Sequence, residues 1–285
     1  MAAMIAAAFA NTPHRAATTA EGYYILAADF HVHSFPGDWA TLAPWDEFLE
    51  ARRAHLDVIA LTSHNHIWAG KLGLWIAHAL DGPIVLAGEE IVGPLPHYHM
   101  LAVGIHSTVD WRKSAEDAID DIHAQGGVAI AAHPVAEYWP SYDFSALQRL
   151  DGAEVLHPAA YESDRWASEL REFYSRGAFA AVGDSDYRGL GAAGICRTYV
   201  FARERNEKGV LDAIRARHTV VYDRGRYYGD SQLIQLMQQA HPAPALDDAV
   251  GNAGWLLSLR RIAGGIGLML AVILGPGAVH LRRQQ

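Results

Sequence analysis

Apolar β-type runs alternate with amphipathic helical stretches between residues 23 and 220, and this alternation constrains the fold more than any other feature. The runs cover residues 23–33, 57–64, 83–92, 98–105, 127–133, 153–156 and 178–182. The helical stretches include residues 45–55, 114–125, 163–176 and 207–217. Continuous apolar strands that alternate with helices are typical of a parallel sheet covered on both faces. About seven βα units predict an α/β barrel or near-barrel.

Composition excludes several classes of function. The formal net charge of −9, with no basic run longer than a pair, argues against a nucleic-acid-binding surface, because Lys and Arg hold phosphate backbones. Cys196 is the single cysteine, so neither an intrachain disulfide nor a thiolate zinc site is possible. No Gly-x-Ser-x-Gly motif is present, which disfavours a nucleophilic serine. The 16 histidines, several in tight pairs, call for another explanation.

The two ends of the chain differ from its middle. Residues 1–22 begin with an apolar run that lacks the positive n-region of a secretory signal, so an export segment, a membrane stub and a disordered start all stay open. Residues 23–237 form the predicted barrel, and residues 238–261, with Pro242 and Pro244, are interpreted as a linker. Residues 262–281 carry no formal charge and lie between two arginine pairs. At roughly 1.5 Å per residue this stretch is long enough to cross a bilayer core of ~30 Å.

The stretch 262–281 is therefore predicted to be a transmembrane helix; the alternative is a C-terminal core helix of the barrel. Its many glycines would make it a weak helix in water, which favours the membrane span. The arginine pairs balance, so the positive-inside rule gives no orientation. We expect a membrane-anchored protein, with the barrel outside the cytoplasm as the preferred orientation and the cytoplasmic side left open. The sequence gives no indication of oligomeric state.

Polar side chains lie at or just beyond the carboxyl ends of the apolar runs, where parallel barrels place their chemistry. They are His31, His33, His64, Glu90, His133 and Asp186. In the His31-x-His33 pair both imidazoles share one strand face and form a chelate for a divalent metal, while Phe30 and Val32 face the packing side. One such pair alone is as often structural, but burying ligands from five strand ends without a cation would leave polar groups unsatisfied.

Five segments follow one another along the chain: Asp29-Phe30-His31-Val32-His33-Ser34, Ala60-Leu61-Thr62-Ser63-His64-Asn65, Leu86-Ala87-Gly88-Glu89-Glu90-Ile91, Ala131-Ala132-His133-Pro134 and Gly183-Asp184-Ser185-Asp186-Tyr187-Arg188-Gly189. In this order they resemble the motifs of the PHP (polymerase and histidinol phosphatase) metallohydrolases over residues 29–222, about two thirds of the chain. The resemblance implies a distorted (β/α)7 TIM-like barrel, two or three metal ions and hydrolysis of phosphate esters. Residues 212–219 are similar to a branch that includes carbaryl-type ester hydrolases.

Carried over by motif position, the resemblance assigns metal ligands. A first ion would bind His31, His33 and Asp186, a second would bind His99 and His133, and Glu90 would bridge them. Asp38 and His64 would hold part of a third site. Asp29 would fix the tautomer of a metal-bound imidazole, as such rings usually require. Glu89 is the register alternative to Glu90.

Two positions depart from the family pattern. Ser63 stands where the family has Asp, and Arg188 stands where it has the third site's His. We therefore expect two firm metal ions, with the third weak or absent. Arg188 and His64 are candidate catalytic residues, and Arg188, Asn65 and His66 are candidate substrate-binding residues. The alternative for Arg188 is a side chain that turns to solvent or pairs with Asp184.

Together these features predict a phosphoesterase that cleaves a small-molecule phosphate mono- or diester with a metal-activated hydroxide. Zinc, manganese or iron would suit the ligand set. Two alternatives stay open: hydrolysis of a carboxylic or carbamate ester on the same fold, and a catalytically degenerate metal-containing sensor domain.

Overall fold

The computed structural model describes residues 18–36, 38–223 and 226–240. Its strands are β1 (Thr18–Ala20), β2 (Tyr23–Val32), β3 (Val58–Leu61), β4 (Ile84–Val92), β5 (His99–Val103), β6 (Val128–Ala131), β7 (Gly152–Leu156), β8 (Ala180–Gly183), β9 (Thr198–Ala202), β10 (Thr219–Asp223) and β11 (Arg226–Gly229). They form one sheet in the order β11–β10–β9–β2–β3–β4–β5–β6–β7–β8, with β1 beside β2. Each of the seven predicted strands has a counterpart among β2 to β8.

Strand direction departs from the prediction at one predicted strand. β2, β3 and β4 are parallel, as are β6, β7 and β8, but β5 is antiparallel to both β4 and β6. The prediction of a parallel sheet does not hold for β5, because the link from β4 to β5 covers only residues 93–98. A parallel crossover needs about a dozen residues or more.

The sheet curls into a nearly closed barrel, which confirms the predicted TIM-like α/β fold. Strand β8, at one end of the strand order, approaches β10 at Gly183, where an added Cβ would lie 2.8 Å from Val221 Cγ1. The Thr198 hydroxyl of β9 also bonds to β8, accepting a hydrogen bond from Gly183 N at 2.9 Å and donating one to Gly183 O at 3.1 Å. A side chain therefore replaces the backbone ladder at the seam.

Seven helices are present in the described part of the chain. They are α1 (Pro44–Arg53), α2 (Trp68–Ala79), α3 (Ala115–Ala124), α4 (Phe144–Arg149), α5 (Asp164–Tyr174), α6 (Glu207–Arg215) and α7 (Ser231–Ala240). The four predicted helices correspond to α1, α3, α5 and α6. The sequence analysis missed α2, whose Gly70 and Gly73 lower its helix propensity. An added Cβ at Gly70 would lie 2.7 Å from Ala87 Cα, so this glycine allows close packing on the sheet.

The barrel interior is apolar below the carboxyl ends of the parallel strands. Its buried residues include Leu26, Phe30, Leu86, Leu101, Ile130, Val182 and Val200, together with Val210, Leu211 and Ile214 of α6. Helix α6 closes the opposite end of the barrel, where Leu211 packs against Gly104. The interior therefore leaves one end, at the carboxyl ends of β2, β3, β4, β6, β7 and β8, for polar residues.

No helix among the described residues is long and apolar enough to cross a membrane. The predicted span 262–281 and the apolar start of the chain lie outside the described residues. The predicted linker begins at residue 238, whereas α7 continues to Ala240.

Candidate metal centre

A β-bulge brings both histidines of the His31-x-His33 pair into the barrel end. The pairing of β2 with β3 shifts register between Asp29 and Val32. Val32 packs in the outer cluster as predicted, but Phe30 lies in the interior cluster. Phe30 therefore packs against apolar residues as predicted, but it lies on the same side of the strand as the histidines, because the register shift turns successive side chains toward one face.

The carboxylate of Glu90 is the centre of the polar layer and is fully buried. Five imidazole nitrogens surround it: Oε2 lies 3.0 Å from His31 Nε2, 3.3 Å from His33 Nε2 and 2.9 Å from His64 Nε2, and Oε1 lies 2.6 Å from His99 Nδ1 and 3.1 Å from His133 Nε2. We call these six residues the Glu90 cluster. Its two oxygens divide the histidines into two groups.

Asp38 and Asp186 border the cluster on one side. Asp38 lies 2.8 Å from His33 Nδ1 and 3.0 Å from His64 Nδ1. Asp186 Oδ1 lies 2.9 Å from His33 Nε2 and 3.5 Å from His31 Nε2. The structure therefore brings every sequence-predicted metal ligand into one region.

Arg188 points into this region. Its Nη2 atom lies 3.0 Å from Asp186 Oδ1 and 3.1 Å from His33 Nε2, and the side chain is 28% exposed. The two alternatives considered for Arg188, a side chain in solvent and a pair with Asp184, are both wrong. The side chain turns inward, and its carboxylate partner is Asp186. Asp184 is fully buried and accepts a hydrogen bond from Phe30 N at 2.7 Å. The Arg188 guanidinium therefore contacts His33 and Asp186, two residues that the resemblance assigned to the first ion.

Three imidazoles in the cluster have carboxylates at both ring nitrogens, and this arrangement suits a bound cation. His31 Nδ1 lies 2.8 Å from Glu154 and Nε2 lies 3.0 Å from Glu90. His33 and His64 are placed in the same way between Asp38 and Glu90. A neutral imidazole has only one N–H, so it can donate to one carboxylate while its other nitrogen binds a metal. The donor set therefore fits divalent cations.

The pKa values follow from the same geometry. Burial lowers the pKa of His31, but the carboxylates of Glu90, Asp186 and Glu154 outweigh burial and raise it well above the ordinary value. In the same balance, Asp38 and Glu90 raise the pKa of His64 to about 9. Burial raises the pKa of Glu90, but the histidines, His31 first, bring it well below its usual range. This concentration of buried carboxylates and imidazoles at one point is the electrostatic pattern of a metal site.

Within the described residues, three overlapping sets have ligand atoms within 4.8 Å of one another. They are His31 with His33 and Asp186, His31 with Glu90 and His133, and His33 with His64 and Glu90. The first set is the one that the resemblance assigned to a first ion. Asp186 Oδ1 is buried and its short contacts lack hydrogen-bond geometry, as expected of an atom placed for a cation.

Two buried residues that the sequence analysis missed complete the polar layer. Glu154 of β7 accepts from His133 N at 2.8 Å as well as contacting His31. His157 follows β7, and its Nε2 lies 3.6 Å from Asp186 Oδ2. Signals for both exist: Glu154 is the charged residue in an apolar strand, and His157-Pro158 repeats the His133-Pro134 pair that follows β6.

Asp29 does not contact an imidazole ring in the way predicted. Its carboxylate accepts hydrogen bonds from the backbone N of Ser185 at 3.1 Å and of Gly194 at 2.7 Å. It therefore holds the 184–194 loop against β2, while Glu154 has the predicted role at His31 Nδ1. The resemblance led to the wrong carboxylate because strand β7 was not among its five motifs.

The remaining predicted residues lie at the rim or behind it. The Asn65 side chain accepts a hydrogen bond from Val92 N at 2.9 Å, which leaves its carbonyl oxygen committed to the backbone. His66 accepts from Trp68 Nε1 at 3.3 Å. The Ser63 hydroxyl accepts a hydrogen bond from Ser34 N at 3.1 Å. Glu89 points to the opposite face of β4 and accepts from Val109 N at 2.6 Å, so the cluster contains Glu90 alone of this pair.

Backbone strain concentrates at this end of the barrel. Asn65, His133 and Asp186 have φ values of +54°, +27° and +46°, in the left-handed region that side chains rarely adopt. Such conformations cost about 1–3 kcal/mol each and tend to occur at functional sites. Aromatic rings line the opening: Tyr138 stacks on His99 at 4.8 Å, and Trp166 lies 6.1 Å from His133.

Comparison with known proteins gives a structural likeness only. No protein-family model matches the chain, and no curated protein sequence matches it. Among solved structures, a two-domain protein from Bacteroides vulgatus containing a predicted PHP-like metal-dependent phosphoesterase has a TM-score of 0.62 at 22% identity, over 80% of this chain and 74% of its own. The chain therefore has the fold of a PHP-like domain, as the resemblance predicted.

Two further structures are similar at lower scores. A protein from Bifidobacterium adolescentis described as a metal-dependent phosphoesterase has a TM-score of 0.43 at 14% identity, over 74% of this chain and 96% of its own. An amidohydrolase from Chromobacterium violaceum, with bound sulfate and no metal, has a TM-score of 0.46 at 15% identity, over 77% and 98%. None of these three is described as a carbaryl-type hydrolase, and that branch stays a prediction.

Proposed function

We propose that this chain is a metal-dependent hydrolase that cleaves phosphate esters of a small-molecule substrate. The observation that carries the proposal is the Glu90 cluster, in which one buried carboxylate lies within 3.3 Å of nitrogens from five histidines. The cluster lies at the end of the barrel where enzymes of this architecture bind substrate. The metal-dependent phosphoesterase described for the Bacteroides vulgatus protein of the same fold supports the choice of phosphate esters.

The division of histidines between the oxygens of Glu90 suggests which residues hold each ion. His31, His33 and Asp186 would hold the first, on the Oε2 side. His99 and His133 would hold the second, on the Oε1 side. Glu90 would bridge them. Imidazole with carboxylate suits zinc, manganese or iron.

Bound divalent cations would supply Lewis acidity and a hydroxide at neutral pH. The chain itself contributes a fixed positive charge and an apolar layer beneath the histidines. Arg188 reaches the cluster and is also partly exposed, so its planar group can bind a phosphate oxygen from the solvent side. Below the histidines, Phe30 and its apolar neighbours exclude water.

A substrate screen tests the proposal against its two alternatives. Protein loaded with zinc, manganese or iron should hydrolyse phosphomonoesters or phosphodiesters, and a chelator should abolish turnover. His31→Ala should be inactive, whereas His106→Ala, at an exposed histidine away from the cluster, should keep full activity. Turnover of aryl carboxylic esters or carbamates alone would make it an ester hydrolase. Ligand binding without any turnover would make it a sensor domain.

A further inference from the structure

The imidazole of His157 lies against the Glu90 cluster but has no part in the ligand sets above. The residue is 7% exposed. Its ring centroid lies 5.2 Å from that of His133 and 5.6 Å from that of Trp166. A buried imidazole enclosed by rings of the site is placed to act on the site.

A hydrogen bond at Nδ1 fixes which ring nitrogen of His157 carries the proton. The backbone N–H of Ala159 donates to His157 Nδ1 at 3.2 Å and so caps the short 3₁₀ turn Pro158–Tyr161. A ring nitrogen that accepts a hydrogen bond has no hydrogen of its own, so the neutral ring has its N–H at Nε2. Nε2 is therefore a donor and not a metal ligand.

This donor is buried and lacks a hydrogen-bond partner among the described residues. Asp186 Oδ2 lies 3.6 Å away, just beyond hydrogen-bond length. The other oxygen of the same carboxylate, Oδ1, faces His33 and Arg188. A buried donor without an acceptor is unfavourable, so a small movement that brings Asp186 Oδ2 closer would be stabilising.

We propose that His157 is a positioning residue for Asp186: its Nε2–H donates to Oδ2 when Oδ1 binds a divalent cation. This inference rests on the proposed metal-dependent function. Carboxylates that bind metals are usually held by a hydrogen bond of their own, and loss of such a partner weakens metal affinity. His157 faces Oδ2 of this carboxylate, and Arg188 faces Oδ1.

Two substitutions separate positioning of Asp186 from capping of the turn. In His157→Asn, the side-chain oxygen can take the place of Nδ1 and keep the Ala159 cap, but the donor at Nε2 is lost. In His157→Gln, the amide N–H₂ reaches the place of Nε2 and keeps the donor, but the cap is weakened. Positioning predicts that Zn²⁺ or Co²⁺ affinity, measured by competition with a chromogenic chelator, falls about 10- to 100-fold in the Asn variant. The Gln variant should stay within a few-fold of wild type.

The opposite order, with Asn like wild type and Gln impaired, would overturn the inference and leave a purely structural cap. Equal affinity in all three proteins would overturn it too. Melting temperature and the visible spectrum of the Co²⁺ protein accompany each titration. If the Asn variant does not fold, His157→Ser takes its place, since the Ser hydroxyl can cap the turn but offers no donor at the place of Nε2, and the same loss of affinity is expected. A wild-type protein that binds no Zn²⁺ or Co²⁺ would refute the proposed function and this inference together. A wild-type protein that binds metal, with variants that do not differ as predicted, would refute this inference alone.

Discussion

Arg188 donates toward the Nε2 atom of His33 across 3.1 Å, so a guanidinium contacts one of the proposed metal-binding nitrogens. The same Nη2 atom lies 3.0 Å from Asp186 Oδ1, a second proposed ligand. A permanent cation thus lies beside two of the proposed ligands of the first ion. Its removal tests whether it serves substrate or only neutralises charge.

Arg188→Ala should reduce kcat/KM by about 100-fold, the usual loss when a group that stabilises developing charge is removed. Metal content should stay the same, because Arg188 is not a ligand. Arg188→Lys keeps the charge without the planar group and should lose less activity. Steady-state kinetics and metal analysis of the same samples check this, and unchanged kinetics in the Ala variant would return Arg188 to a structural role.

Arg188→His should restore a complete third site with Asp38 and His64. The variant is expected to bind one more divalent ion per chain than the wild type. Elemental analysis after loading and desalting measures this directly. If the stoichiometry does not change, the geometry at Asp38 and His64 does not suit an ion.

Metal binding should release protons. Nearby carboxylates raise the pKa of His31, a proposed ligand of the first ion, well above its ordinary value in the metal-free protein, so its ring holds a proton that a neutral ligand must lose. Affinity should therefore increase as the pH rises through neutrality, by about tenfold per pH unit for each proton displaced. Calorimetric titrations in buffers of different ionisation enthalpy measure the proton count. Affinity independent of pH between 6 and 8 would contradict the assignment.

Glu89 offers a test of burial that does not involve the metals. Burial raises the pKa of Glu89 from 4.5 to about 7. The folded protein keeps this proton up to pH 7 while the unfolded chain loses it above pH 4.5, so stability falls as the pH rises between these values. The free energy of unfolding of Glu89→Gln, relative to that of the wild type, should therefore increase by up to about 3 kcal/mol between pH 5 and pH 8. Denaturant titrations of both proteins at pH 5 and pH 8 measure this change. The same stability difference between variant and wild type at both pH values would contradict the prediction.

The sequence predicted most of the fold, because hydrophobic periodicity reports burial directly. It did not predict the direction of β5, since an apolar strand looks the same in parallel and antiparallel pairs and only the short link 93–98 distinguishes them. The proposed ligands His31, His33, Glu90 and Asp186 were predictable because they lie at strand ends. Glu154 was not, because one acidic residue in an apolar run has no partner in the sequence; its partner, His31, is 123 positions away.

The membrane anchor remains a prediction, since residues 262–281 lie outside the described residues. Burying about 20 apolar residues in lipid is favourable, and the flanking arginines can reach the headgroups. Full-length protein should stay with membranes through a high-salt wash, and a chain that ends at Gly251 should be released. Full-length protein found wholly in the soluble fraction would indicate that this segment packs against protein instead.

The adjacent residues Glu89 and Glu90 provide the most direct test of the central claim, because one strand turns them to opposite faces. Both Glu→Gln variants and the wild type would be purified, loaded with zinc, manganese or iron, and analysed for bound metal. We predict at least two divalent ions per chain in the wild type and in Glu89→Gln, and a loss of metal in Glu90→Gln. Fewer than one ion per wild-type chain with every metal, or unchanged binding in Glu90→Gln, would contradict a metal centre built around Glu90.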